Sequence, residues 1–177
     1  MPLRKLKDIP KIPKTRKKKG HVALDAIPEK KPDKLEYVCK AFFQFDEKLK
    51  KQNYVFAVET VVEFTSFAYE VSVEVIKEKN VINFVLMGLK AKTNVVPQVL
   101  PARTEICFED LFGDYIVNVV KQDGAINTGE YHFNIYKKEI ILTKQYKPKK
   151  KNNRFFCEFV VAEDEFSFPE KNILLSH

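Results

Sequence analysis

The sequence predicts an all-β fold, an antiparallel β-sandwich of about nine strands that follows an extended basic N-terminal arm. Aromatic and β-branched residues fill nine short runs, and Gly, Pro, Asn and Asp mark the ends of those runs. The connections between the runs are short, which favours antiparallel neighbours. An up-and-down β-barrel or a jelly roll is the alternative, because alternation of apolar and polar residues looks the same in each architecture.

Charge and proline divide the chain into two parts. The net charge is +7, but residues 1–34 hold 12 of the 31 Lys and Arg and only 4 of the 24 Asp and Glu. The remaining residues are close to neutral. Pro10 and Pro13 exclude a regular helix through the first part. The predicted organisation is a basic Pro/Lys-rich arm at 1–34 and a β-sandwich domain at 35–177, so attraction to an acidic partner concerns the arm.

The strands were located from period-two alternation and turn residues. The predicted strands are 37–45, 54–64, 67–78, 81–92, 104–110, 111–121, 130–137, 140–146 and 155–161. Pro97 and Pro101 make the segment between the fourth and fifth strands an edge segment or a crossing loop.

The second and third strands are predicted to form a hairpin over Thr65 and Ser66. In that register Phe64 opposes Phe67, and the apolar residues of both strands share one buried face. The opposite face is acidic and is predicted to contact a neighbouring subunit. Its glutamates are Glu59, Glu63, Glu70, Glu74 and Glu78.

The fourth strand, 81–92, is apolar on both of its faces. Val85, Met87 and Leu89 lie on one phase, whereas Phe84 and Leu86 lie on the other. A strand with one solvated face should alternate. A further segment, a partner or a ligand is therefore expected to cover its second face.

Cys39, Cys107 and Cys157 each fall within a strand-like run. The odd count, the absence of a CxxC pair and the absence of a signal peptide favour reduced thiols in an intracellular, cytoplasmic protein. A single bridge from Cys39 is the alternative. No apolar run is long enough to predict a transmembrane segment.

The segment from Leu111 to Val117 reads Leu-Phe-Gly-Asp-Tyr-Ile-Val. It resembles the L-x-G-x-Y-x-apolar corner of immunoglobulin-like and fibronectin-type-III-like sandwiches. The resemblance implies an immunoglobulin-like fold in which the Tyr115 hydroxyl bonds back to the backbone of the turn. The chain departs from the antibody pattern, because Val117 stands where a bridging cysteine would be and there is no tryptophan.

The sequence shows no pattern typical of catalysis. His21, His132 and His177 have no Cys or carboxylate at a metal-ligand spacing, and five glycines form no phosphate-binding motif. Neighbouring acids such as Glu109 and Asp110 point to opposite faces of a strand. The prediction is therefore a non-enzymatic protein with no catalytic residue, metal, cofactor or small-molecule substrate.

The cations of the arm are the strongest functional signal, because they can neutralise RNA phosphates. They are Arg4, Lys5, Lys7, Lys11, Lys14, Arg16, Lys17, Lys18 and Lys19. A second basic cluster is predicted on a protruding loop: Lys147, Lys149, Lys150, Lys151 and Arg154. The arm has no aromatic residue for base stacking, so binding to RNA should be weakly selective.

The leading hypothesis is a structural or assembly protein. Its basic arm is expected to bind RNA, an anionic surface or a neighbouring subunit, with a protein partner or a homo-oligomer as the consequence. One alternative is a small jelly-roll coat protein that packages nucleic acid. Another is a β-barrel that binds an apolar ligand, in a cavity lined by Phe56, Tyr69, Val73 and Phe84.

Overall fold

Nine β-strands and one 3₁₀ turn make up the regular structure of residues 31–93 and 95–171, which are the residues that the computed structural model describes. The elements are β1 Tyr37–Asp46, β2 Lys51–Phe64, β3 Tyr69–Glu78, β4 Val81–Ala91, β5 Leu100–Phe108, β6 Gly113–Lys121, β7 Ile126–Asn134, β8 Glu139–Tyr146, β9 Cys157–Val161 and the 3₁₀ turn Glu163–Glu165. The predicted all-β class is confirmed. The first 30 residues lie outside the described part of the chain.

The strands form two separate sheets. Sheet A has the order β5-β2-β1-β9, and sheet B has the order β3-β4-β6-β7-β8. Because neither sheet closes on itself, the barrel alternative is wrong and a two-sheet sandwich is the architecture. The prediction of a purely antiparallel fold is also wrong in detail, since β1 pairs with β9 and β4 pairs with β6 in parallel.

The predicted β2–β3 hairpin does not form. β2 lies in sheet A between β5 and β1, whereas β3 is an edge strand of sheet B and pairs only with β4. Thr65 and Ser66 carry the chain from one sheet to the other. They lack the Gly or Asn that a two-residue hairpin turn prefers. Phe67, predicted to be buried opposite Phe64, is instead 58% exposed.

Aromatic side chains fill the space between the sheets. The ring of Phe56 on β2 packs on Phe84 at 5.4 Å between centroids, on Tyr131 at 5.5 Å and on Phe133 at 5.8 Å. All four side chains are essentially inaccessible to solvent. The predicted ligand cavity is therefore absent between Phe56 and Phe84, whose rings contact each other instead.

The outer face of sheet A is covered by the segment that follows β9. Phe42 and Val55 point to this face and are buried against Ala162 and Phe166. Backbone bonds from Ala162 N–H to the Ala41 carbonyl and from Ser167 N–H to the Phe43 carbonyl hold the segment in place. This cover explains why residues of β1 and β2 are buried on both faces of sheet A.

The second face of β4 has no comparable cover within the described residues. The β3–β4 register shifts where Ser72 pairs with Gly88 and Val73 pairs with Leu86, so that Met87 of β4 is the bulged residue; Gly88 beside it adopts a φ of +130°. The bulge changes the phase of β4, so that Leu89 pairs with the buried Val71. Met87 remains 45% exposed. The prediction that something covers this face is thus not met by the described chain.

Cys39 and Cys157 are buried, Cys107 is exposed, and all three are free thiols. Burial raises the pKa of both buried thiols well above the ordinary value. The described residues include no helix with the length and apolarity needed to cross a membrane.

Candidate functional site

One end of the sandwich gathers the features that bear on function. Tyr37, the first residue of β1, pairs with Thr60 near the end of β2 and with Cys157 at the start of β9. In sheet B, Leu86 of β4 pairs with Lys121 at the end of β6. We call this the entry end, because the described chain enters the domain here.

A network of charges anchors the chain at the entry end. Arg154 is 4% exposed, and its Nη1 atom donates to Glu36 Oε2 at 3.1 Å, while its Nη2 atom donates to Asp123 Oδ2 at 3.3 Å. Lys121 Nζ donates to the same Glu36 oxygen at 2.7 Å. Burial alone raises the pKa of Glu36, but the hydrogen bonds from Lys121 and Arg154 outweigh it and leave the pKa lowered. The network ties the entering chain to the β6–β7 turn and to the segment before β9.

Two buried asparagines shape the segment before β9. Asn127 Oδ1 accepts hydrogen bonds from the N–H groups of Phe156 and Cys157, both at 2.8 Å. Asn153 Oδ1 accepts from Ile126 N–H at 2.9 Å, and its Nδ2 atom donates to the Pro148 carbonyl at 2.8 Å. These side chains thus hydrogen-bond backbone groups at the starts of β7 and β9 and in the loop between β8 and β9. The loop between β8 and β9 is thereby held in a fixed shape.

The predicted basic cluster on this loop divides into two groups. Lys149 and Lys151 are exposed and have no acidic partner among the described residues. Lys147 Nζ is 3.7 Å from Asp33 Oδ1, and Lys150 Nζ donates to the Gly124 carbonyl at 2.6 Å. Arg154, by contrast, is not on the exposed surface of the loop, because it is buried in the network above and paired with Glu36 and Asp123. We use the term basic loop for residues 147–151.

The root of the arm lies against the basic loop segment. Lys34 N–H donates to the Phe155 carbonyl at 3.1 Å, and Phe155 N–H donates to Asp33 Oδ1 at 2.8 Å. Residues 31–34 therefore leave the domain beside the basic loop. The nine arm cations predicted between Arg4 and Lys19 lie outside the described residues, and their role stays a prediction.

Exposed apolar side chains cluster at another corner of the entry end, where β2, β3 and β5 meet. This apolar corner consists of Val61, Val62, Phe67, Val95, Val96, Val99 and Leu100. Val95, Val96 and Leu100 border a surface cavity of about 200 Å³ together with Tyr69. The Phe67 ring lies 6.3 Å from the Tyr69 ring. Only Phe67 and Val62 fall on the alternating pattern that predicted a buried face, so the sequence did not indicate this surface.

A bulge in β2 shapes the apolar corner. The β2–β5 register shifts between Glu59 and Glu63. Inside the bulge, Thr60 Oγ1 accepts a hydrogen bond from Ala102 N–H at 2.9 Å and donates to the Val62 carbonyl at 2.8 Å. Since the bulge breaks the alternation of the strand, Val62 is turned outward rather than into the core.

The glutamates predicted to form one acidic face are divided between the sheets. Glu59 and Glu63 are on β2 in sheet A, whereas Glu70, Glu74 and Glu78 are on β3 in sheet B. The structure therefore does not bring them together as a hairpin surface. The predicted role of these glutamates in subunit contact is untested, and it now concerns two separate groups, one on β2 and one on β3.

Glu59 belongs instead to a charge cluster on the outer face of sheet A. Arg103 donates to Glu59 at 3.1 Å and to Glu165 at 2.5 Å, and Lys40 lies 3.3 Å from Glu59. Hydrogen bonding to Glu165 raises the pKa of Arg103, and the same bond lowers the pKa of Glu165. The Arg103 guanidinium also lies 5.5 Å from the centre of the Phe42 ring. The cluster covers the small group of buried apolar residues on this face, which includes Phe42, Val55 and Ala57.

Tyr115 lies on β6 with its ring half-buried against Phe133, at 5.8 Å between centroids. Within residues 31–93 and 95–171 its hydroxyl makes no hydrogen bond to the backbone of the turn. The geometry predicted for a tyrosine corner is therefore not formed there. The resemblance to immunoglobulin-like sandwiches remains a prediction from the sequence of residues 111–117.

One hydrogen-bonded pair of polar residues has no signal in the sequence. His132 Nδ1 on β7 lies 2.7 Å from Asp114 Oδ1, because Asp114 is its cross-strand partner on β6. No Ser, Thr or Cys among the described residues bonds to this histidine. No group of three or more His, Cys, Asp or Glu in the described part of the chain is placed to hold a metal ion.

No protein-family model matches the chain, and no curated protein and no solved structure matches it either.

Proposed function

We propose that this protein is a non-enzymatic assembly protein that holds single-stranded RNA through its basic arm and basic loop. The observation that carries the proposal is the place where the arm begins. Residues 31–34 leave the domain beside Phe155, next to a loop that presents Lys149 and Lys151 to solvent. These two lysines therefore add cations beside the residues that connect the arm to β1.

The charge distribution favours a flexible polyanion over a folded acidic protein. Nine cations fall between Arg4 and Lys19, and the domain itself is nearly neutral. Each phosphate contact on a single strand releases counterions and adds about 0.7 to the slope of log affinity against log salt. Because the arm lacks aromatic residues, the selectivity expected among RNA sequences is low. For the fold we propose an immunoglobulin-like type of sandwich, supported by the two-sheet architecture and by the sequence resemblance at Leu111–Val117.

The test measures fluorescence anisotropy of a labelled oligouridine RNA of about 20 nucleotides with the full chain. The variant reverses two charges of the basic loop, Lys149→Glu with Lys151→Glu. The matched control reverses Lys48 and Lys137, two exposed lysines in turns at the opposite end of the sandwich. We expect the loop variant to lose roughly tenfold in affinity and to have a smaller salt slope, whereas the control stays within about twofold.

Two results would overturn the proposal. One is equal affinity of the loop variant and the control variant at every salt concentration. The other is tighter binding to vesicles containing about 30% phosphatidylserine than to the RNA, which would favour a membrane surface as the anionic partner.

A further inference from the structure

The apolar corner is as large as the larger apolar patches that monomers ordinarily expose. Val96 is 78% exposed, Val62 is 61% exposed and Leu100 is 54% exposed. The exposed fractions correspond to roughly 500 Å² of apolar side chain over the seven residues, near the upper end of the about 300–600 Å² found for the largest patch on a typical monomer, and such a patch is often functional. Such a patch indicates a surface that another molecule covers.

The size of the corner fits an interface between two identical chains. Two copies that bury their corners against each other remove roughly 1,000 Å² in total, which reaches the minimum of about 1,000 Å² expected of a specific interface. A two-fold interface uses the same patch on both copies, so the patch must complement itself. A surface made of Val, Leu and Phe meets that requirement without any partner of different chemistry.

The rim of the corner carries charges of both signs. Glu63 pairs with Pro101 in the β2–β5 ladder, and Lys92 borders the same surface cavity as Val96. Both side chains are exposed, and neither forms an ion pair with another described residue. In a two-fold arrangement each copy offers one anion and one cation to the other. The rim is therefore electrostatically compatible with a second copy.

We infer that the apolar corner is the interface of a homodimer. The inference is independent of RNA binding, since the basic loop lies between β8 and β9 and the corner lies where β2, β3 and β5 meet. The outer strands β3 and β5 are already joined, because Thr104 Oγ1 donates to the Val71 carbonyl. The second copy is thus expected to pack its side chains on the corner rather than to extend a sheet.

The test is sedimentation equilibrium of the full chain, treated with nuclease and held at about 0.5 M salt so that bridging by nucleic acid is suppressed. We expect a mass twice the 20.7 kDa of one chain. Val96→Glu places a charge on the most exposed side chain of the corner and should weaken association by at least tenfold. The matched control is Leu49→Glu, a residue that is 67% exposed in the β1–β2 turn at the opposite end. Thermal melting of both variants checks that neither is unfolded.

A monomeric wild-type chain at about 50 µM overturns the inference, whether the corner is then covered by the same chain or by a different protein. A dimer that persists unchanged in a folded Val96→Glu variant overturns it as well. Loss of the dimer in Val96→Glu with retention in Leu49→Glu supports it. RNA affinity of the Val96→Glu monomer, measured separately, distinguishes failure of this inference from failure of the proposed function.

Discussion

Arg154 Nη1 donates a 3.1 Å hydrogen bond to Glu36 Oε2, and this contact joins the start of the domain to the segment before its last strand. The Arg154 side chain is only 5% exposed, and its buried Nε atom has no hydrogen-bond partner. A buried cation that is already incompletely satisfied depends strongly on the anions that remain.

Replacing Glu36 by Gln should destabilise the domain by about 1–3 kcal/mol, because it leaves the buried Arg154 with Asp123 alone and removes the carboxylate that Lys121 pairs with. Urea unfolding followed by circular dichroism measures the change. The control is Glu47→Gln, which removes an ion pair with Lys50 whose side chains are 67% and 71% exposed. That variant should stay within about 0.5 kcal/mol of wild type. Equal losses in both variants would contradict the role of Glu36.

The stability of the domain should fall at acid pH. The pKa values of Glu36, Asp123 and Glu165 are lower in the folded chain than the ordinary values of 4.5, 3.8 and 4.5. A carboxyl group with a lowered folded pKa contributes its stabilisation above the ordinary pKa and loses it as the pH falls through the folded pKa. We therefore expect a steady free energy of unfolding from about pH 6 to 8 and a decline below about pH 4.5.

The Glu36→Gln variant separates this effect from general acid unfolding. It is already destabilised at neutral pH, but it should lose less additional stability between pH 7 and about pH 3.5 than wild type does. Urea midpoints at the two pH values give the comparison. Parallel losses in the two proteins would show that Glu36 is not among the groups responsible.

The three cysteines should differ in their reaction with iodoacetamide. Cys39 and Cys157 are 0% and 1% exposed, and burial raises the pKa of both thiols, so neither should react in the folded chain. Cys107 is exposed and should be modified, although partial burial raises its pKa as well. Intact-mass analysis at pH 8 should show one adduct in native protein and three in urea. A native Cys107→Ser variant that still gains an adduct would contradict this assignment.

Gly129 on β7 is required by close packing rather than by its backbone conformation. A Cβ atom at this position would lie 2.7 Å from Cγ and Cδ1 of Phe159. Gly129→Ala should therefore cost about 1–3 kcal/mol of stability, measured by urea unfolding. Adding Phe159→Leu should recover part of that loss, because the smaller side chain gives the methyl group room. Additive losses in the double variant would show that the two residues do not compete for space.

The positions of the strands were largely predictable because alternation and turn residues are local signals. The pairing of the strands was not. Thr65 and Ser66 separate two strands with matching apolar faces, yet the chain crosses between sheets there, since the turn residues suit a crossing better than a tight hairpin. The parallel pairing of β1 with β9 joins residues distant in sequence, and no local pattern encodes it.

The candidate site was predictable only where it depends on local sequence. A run of lysines identifies the basic loop, and Lys149 and Lys151 do face solvent. The burial of Arg154 depends on Glu36 and Asp123, which come close only in the folded domain. The apolar corner was missed because a bulge at Thr60 changes which side of the strand is buried.

The pairing of β1 with β9 affects the order of events while the chain is being translated. Tyr37 finds its β2 partner soon after synthesis, but its β9 partner, Cys157, follows roughly 120 residues later, which is about 6–24 s at ordinary ribosome speeds. During that interval one edge of β1 is bare, and bare strand edges recruit other chains. We expect nascent chains that stop before Cys157 to depend on chaperones, and truncated proteins of that length to precipitate when they are released.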